Sequence, residues 1–245
     1  MSLRPSLLAI SAIAISAWLS SAGCIGVSAK RTAAAGVVGG DVADLNVCRA
    51  GIRIADDGAI DDFEDGNNQL SLEGGRDGYW YTAHDPLGST VEMAVQEGGA
   101  GGSEQSLHIT GTTASGADES KTWGAQVGAM FVGKPPYDAS KYAGIVFKAR
   151  AAKPGQVRFN IGDINTHEAG KVCEACWNHF GKTLSLTSEW KEYRILFTDT
   201  RQMDGWGKPR PAAITPSKLY NLDFKMGPGQ TFDFSVDDMA FLACR

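Results

Sequence analysis

The stretch that decides the fold begins Leu219-Tyr220-Asn221-Leu222-Asp223-Phe224-Lys225-Met226 and passes through Gly227-Pro228-Gly229. It ends in Phe232-Asp233-Phe234-Ser235-Val236-Asp237-Asp238-Met239-Ala240-Phe241-Leu242. In the first run Tyr220, Leu222, Phe224 and Met226 fall on every second position and leave Asn221, Asp223 and Lys225 on the other side. A period of two belongs to a strand, because successive side chains leave a pleated sheet on opposite faces. Gly-Pro-Gly then breaks the run, since proline lacks the N–H that a ladder needs and glycine accepts turn geometry. The same signature recurs outward along the chain, at Ala59–Phe63, Thr90–Val95, Ser106–Thr110, Trp123–Phe131, Gly144–Ala149, Gln156–Ile161, Lys182–Ser185 and Lys191–Phe197. In Gln156–Ile161, Val157, Phe159 and Ile161 share one face and Arg158 and Asn160 the other. No long 3.6-residue apolar period competes. About ten short strands separated by Gly, Pro, Asp and Asn predict an all-β sandwich, not a helical or α/β fold.

The 245 residues include 30 glycines, an excess that suits many turns, and 28 acidic against 23 basic residues give a net charge of −5. That balance disfavours a broad nucleic-acid-binding surface. Met1–Arg4 carries a positive charge, and the apolar run Leu7–Leu19 after it is too short for a comfortable membrane span, so residues 1–23 read as a signal peptide. Ser21-Ala22-Gly23-Cys24 resembles a bacterial lipobox, which makes Cys24 the expected lipid attachment point; Val27-Ser28-Ala29 offers a competing cleavage site. Residues 24–46, rich in Ala, Gly and Val, read as a tether, and residues 47–245 as the folded domain. The expectation is an exported monomer held at a bacterial outer membrane or cell surface by its lipid alone, with a secreted or periplasmic protein as the alternative.

Once Cys24 is assigned to processing, Cys48, Cys173, Cys176 and Cys244 remain, an even set that allows three pairings in an oxidising compartment. Cys48–Cys244 would staple the ends of the domain. Cys173 and Cys176 could close a small disulfide, hold a metal with His167 or His179, or act as a redox pair. Zinc lacks a second paired-ligand motif here, and the redox reading lacks a strand-helix setting.

Four segments then carry a resemblance. Ile60-Asp61-Asp62-Phe63-Glu64-Asp65-Gly66, the run Tyr137–Arg150, Trp190-Lys191-Glu192-Tyr193-Arg194-Ile195-Leu196-Phe197 and the closing run Phe232–Phe241 are similar, in order and spacing, to landmarks of carbohydrate-binding modules with the galactose-binding-like jelly roll, especially family 11. The resemblance implies a jelly-roll sandwich and a structural Ca²⁺ where first and last strands meet. Its ligands would be Glu64 and Asp237, with Asp62, Asp65 and Asp238 as alternates, because calcium takes six to eight oxygens. It also implies a glycan cleft on the concave sheet, which strand matching places at Arg158, Asn160, Asp223 and Lys225; Asp163 is a further candidate for ligand contact. Complex I assembly proteins of the thirty-kilodalton type share the fold, so fold alone does not assign function.

A sugar site needs aromatic faces for the apolar faces of pyranose rings and polar groups for the hydroxyls. Tyr81 and Trp80 in a Gly/Asp-bounded segment, Trp177 just after the cysteine pair and Trp206 in a Gly-flanked turn are the candidate platforms, while Trp123 and Trp190 lie in apolar runs and read as core. The predicted function is non-catalytic binding of a β-glucan-like polysaccharide. The alternatives are an envelope scaffold of the same fold without sugar binding and, less favoured, a glycosidase using Asp163 with Glu168 or Glu174 with Asp199. Gly-x-Ser-x-Gly, P-loop, His-Glu-x-x-His and dinucleotide motifs are absent from the sequence.

Overall fold

The computed structural model describes Cys48, residues 51–116 and residues 121–245. The signal peptide, Cys24 and the tether lie outside the described residues. Eleven strands are described: β1 (Ile52–Asp61), β2 (Trp80–His84), β3 (Thr90–Glu97), β4 (Gln105–Thr112), β5 (Ala125–Met130), β6 (Gly144–Ala151), β7 (Gly155–Asp163), β8 (Phe180–Leu186), β9 (Lys191–Leu196), β10 (Leu219–Met226) and β11 (Thr231–Cys244). Helical structure among them is limited to single 3₁₀ turns. The expected strands are all present, and all but the first lie within a few residues of their predicted ends; β1 begins at Ile52, well before the expected Ala59. One strand was not foreseen: β2, whose Tyr-Trp-Tyr sequence reads as a loop platform.

The strands form two antiparallel sheets. One runs β2-β5-β10-β7-β8, and the other runs β3-β4-β11-β6-β9 with β1 also paired to β11. Although β10 and β11 are separated only by Thr231's preceding Gly-Pro-Gly-Gln turn, they lie in different sheets, so that turn carries the chain from one layer to the other. The apolar alternation fills the space between layers: Phe147 of β6 sits 4.9 Å from Phe159 of β7 and 5.2 Å from Phe224 of β10, ring centre to ring centre. Phe131, Phe241 and Tyr142 continue the aromatic core toward the other end. Each such ring, fully buried, contributes about 2–3 kcal/mol.

Strand β11 changes partner midway. Thr231–Val236 pairs with β4 and the segment from Met239 to Cys244 pairs with β1, while β6 follows the other side from Phe234 to Leu242. The register slips between Asp237 and Ala240, and Asp238 takes φ 48°. Asp237, fully buried, accepts the backbone N–H of Ala100 at 2.7 Å and so fills the step between the two partners. Both disulfides form: Cys48–Cys244, across 196 positions, and Cys173–Cys176.

Trp80 corrects an expectation. It pairs with Ala129 on the inward side of β2, is 1% exposed, and donates its indole N–H to Asp61 Oδ2 at 2.8 Å, so it belongs to the core and presents no sugar platform. Trp123 and Trp190, expected in the core, are half-buried instead, beneath Lys225 and Arg150.

The calcium expectation meets a different arrangement. Glu64 and Asp237 do grip one loop, residues 98–105, but with oxygens aimed at donors: Glu64 Oε1 accepts from Ser103 Oγ, Glu104 N and Gln105 N, and the Asp237 oxygens accept from Ala100 N and Asp238 N. Asp62 accepts the Glu64 N–H in a local turn. Lys148 already sets its ammonium 2.5 Å from Asp238 Oδ2. Among the described residues no group of three or more His, Cys, Asp or Glu is placed to hold a metal ion. A hard cation wants carboxylate and carbonyl oxygens converging on it. The donors here are N–H and O–H groups, and the set as arranged does not fit one.

Candidate functional site

The outer face of the five-stranded sheet carries the candidate site. Read across the strands, one row is Tyr81 (β2), Gly128 (β5), Asp223 (β10), Asn160 (β7) and Gly181 (β8). The row on one side is Ala83, Gln126, Lys225, Arg158 and Thr183; on the other side Met130, Asn221 and Gly162 align. Arg158, Asn160, Asp223 and Lys225 thus stand together as strand matching places them, and Tyr81 joins them from β2. Asn221, which alternation puts on the same polar side of β10 as Asp223 and Lys225, completes the group.

Glycines let this floor form. A Cβ at position 128 would stand 2.7 Å from the Tyr81 ring, and one at 162 would stand 2.1 Å from Asn221 Oδ1 and 2.9 Å from the His179 ring. Such distances are clashes, so these two glycines allow Tyr81, Asn221 and His179 to lie down along the sheet. Glycine inside a strand, where it costs stability, is the signal that could have located this surface.

The floor is polar, buried and joined mostly to itself. Asn160 Nδ2 donates to Asp223 Oδ1 at 2.8 Å, Asn221 Nδ2 donates to the Tyr81 hydroxyl at 3.2 Å, and Asn160, Asn221 and Asp223 are each less than 5% exposed. Burial raises the Asp223 carboxyl to about 6, against the opposing pull of Asn160, Lys225 and Arg158. Burial also pushes the Tyr81 phenol up. Neither Asn160 Oδ1 nor Asn221 Oδ1 has a hydrogen-bond partner. Buried carbonyl oxygens without donors are uncommon and costly.

One end of the face is walled by rings. His167 lies 4.9 Å from Trp177 and stacks on Tyr220 at 4.8 Å, and His179 lies 5.8 Å from Trp177. Tyr220 departs from the alternation that assigned it to the core: β10 shifts register between Leu219 and Asn221, so Leu219 turns inward and Tyr220 meets His167. His179 Nδ1 is 2.8 Å from Thr166 Oγ1, and burial lowers its imidazole to about 3, so the ring is neutral. Trp177 is 42% exposed and held at φ 75° immediately after the Cys173–Cys176 disulfide. A bulky residue in that region of backbone is strained, so the surrounding loop must hold the conformation that leaves the indole facing water.

Trp206, 40% exposed, sits on the neighbouring loop. Asn178 ties the two loops, donating to Met203 O and Trp206 O and accepting from Met203 N, while Ala175 and Lys208 pair as an isolated bridge. Arg158 donates to Arg201 O at 2.5 Å, linking the same loop to the floor. Asp163 plays another part than ligand contact. It is fully buried, with Oδ1 accepting from Asn165 N and Thr166 Oγ1 and Oδ2 from Thr215 N and Asn165 Nδ2, so it clamps the loop that carries Trp177. Glu174 pairs with Lys208 and Asp199 with Lys182 at the surface.

Clefts of about 630 and 550 Å³ lie away from this face, beside Asp238 and beside the turn at Pro154.

No protein-family model matches the chain, and no curated protein matches it. Solved structures share its fold. The family 11 carbohydrate-binding module of a cellulosomal cellulase of Clostridium thermocellum aligns with TM-score 0.54 and 18% identity, over 79% of this chain and 95% of its own. A family 11 module from the same organism, in complex with a β-1,3-1,4-mixed-linked tetrasaccharide, aligns with TM-score 0.50 and 18% identity, over 72% and 95%. CtCBM11 in solution gives 0.50 and 15%, over 82% and 99%. The chain therefore has the jelly-roll fold of these modules, as its four sequence landmarks imply.

Proposed function

We propose that this protein binds a β-glucan-like polysaccharide on the outer face of its five-stranded sheet without acting on it, while tethered to a bacterial envelope through Cys24. One observation carries the reading: polar groups that a surface strand would normally give to water are packed into a buried floor on an outer face. Two of its amide oxygens lack donors and exposed indoles stand at its rim. Trp177, Trp206 and Tyr81 supply apolar faces for sugar rings, and the polar groups beside them suit the hydroxyls. The disulfide before Trp177 and the hydrogen bonds of Asn178 and Asp163 hold the platform ready, which lowers the entropy cost of binding.

Affinity electrophoresis of the purified protein through gels containing mixed-linkage β-glucan, xyloglucan or hydroxyethyl cellulose tests the proposal. Retardation in at least one gel, lost in Tyr81→Ala, is the expected result. Free migration in all of them overturns it and favours the scaffold reading.

A further inference from the structure

The same floor carries two cations against one carboxylate that acts on them. Lys225 and Arg158 stand directly opposite each other on neighbouring strands. Like charges so placed repel. Neither has an ion-pair partner among the described residues. Lys225 makes no hydrogen bond and sets its ammonium 5.6 Å from the Trp123 ring centre; Arg158 spends one donor on Arg201 O. Asp223 is the one carboxylate acting on either cation, and it is tied to Asn160 and Asn221. Both cations are half-buried, so water screens them poorly.

We infer that the glycan recognised by this face carries a negative charge, a carboxylate or a sulfate, seated between Arg158 and Lys225 beside Trp123. The inference rests on the proposed binding face and names the class of its ligand. A neutral hydroxyl would take a donor from each cation and leave their repulsion in place. An anion offsets it, and the guanidinium, with most of its donors free, suits two-point contact with a carboxylate or sulfate.

Three polymers with one β-1,4-linked glucose backbone make the test: hydroxyethyl cellulose, cellouronate, whose units carry carboxylates, and cellulose sulfate. Titration calorimetry at low salt is expected to show one of the anionic polymers bound at least about tenfold more tightly than the neutral one, the preference shrinking as salt rises. The stronger of the two anions identifies the group. Lys225→Met and Arg158→Gln are each expected to erase the preference, with thermal melts verifying the fold, whereas Arg194→Gln on the opposite sheet retains it. Neutral polymer bound as tightly as both anionic ones, or a preference that survives Lys225→Met, overturns the inference and leaves polysaccharide binding standing. Binding to none of the three, nor to the neutral gels above, overturns both.

Discussion

The two sheets treat charge in opposite ways on their outer faces. On the six-stranded sheet, opposite charges oppose each other in contact with water: Lys148 stands across from Glu192, and Arg194 pairs with Glu192 at 2.6 Å. On the five-stranded sheet Lys225 faces Arg158, like against like, above a carboxylate that is 1% exposed. A face selected only for solubility resolves its charges internally and keeps them wet, as the first does. The second holds an arrangement that costs stability, which is the usual mark of a surface waiting for a partner.

Five experiments would break or sharpen this contrast. The largest effect is expected from Cys48→Ser with Cys244→Ser, which removes the staple of the six-stranded sheet. Closing a loop of this length is worth about 5 kcal/mol in the chain-entropy model, so urea unfolding should show a loss of that order while the folded fraction still binds glycan. A comparable loss of affinity in the folded fraction would mean that the sheets are not separable in function. Next, Tyr81→Ala should weaken glycan binding by about tenfold or more, roughly 1.4 kcal/mol, with little change in the melt.

Asp223→Asn should do two opposite things. Unfolded, an aspartate titrates near 4; in the folded protein burial holds Asp223 at about 6. Between those values the folded state holds a proton that the unfolded chain has released, so this group adds stability as pH falls from about 6 to about 4 and costs stability above about 6. Replacing it should stabilise the protein at pH 7 by about 1–2 kcal/mol and flatten the pH profile of unfolding below 6, while glycan binding falls. A destabilised variant at neutral pH would show that the carboxylate serves the fold and not the ligand.

On the other sheet, Arg194→Ala should change stability by less than about 1 kcal/mol and leave binding as it was, since exposed ion pairs contribute little. The smallest effect of all is expected from a chelator. The loop at residues 98–105 is closed by N–H donors on Glu64 and Asp237, so the thermal midpoint should not move; a fall of several degrees would restore the expected calcium site.

Much of the contrast is legible in the sequence because alternation is a local property. Val157, Phe159 and Ile161 inward and Arg158 and Asn160 outward follow from the pleat alone, and so do Asp223 and Lys225. What the pattern misses are positions where tertiary context overrides it. Tyr220 is displaced by a single-residue shift against β7, which no spacing rule announces. Trp80 sits among tyrosines and glycines that suggest a loop, yet its inward pairing is set by β5, a strand distant in sequence. Trp123 lies at the edge of an apolar run and is half-covered by Lys225 from another strand. The Asp237-Asp238 pair reads as a metal ligand by analogy, whereas in the fold it marks the bulge where β11 trades one partner for another.

That trade sets a schedule for folding. Among the described strands, β11 with its 14 residues is the one paired with β1, β4 and β6, so the six-stranded sheet has no centre until residues 231–244 have been made. Until then β1, β4 and β6 must wait with an exposed strand edge, a condition that invites mispairing and slow, non-local closure. Oxidation of Cys244 onto Cys48 would then seal the sheet only after its first and last strands have met, so the staple works as a record of completed folding as well as a tie.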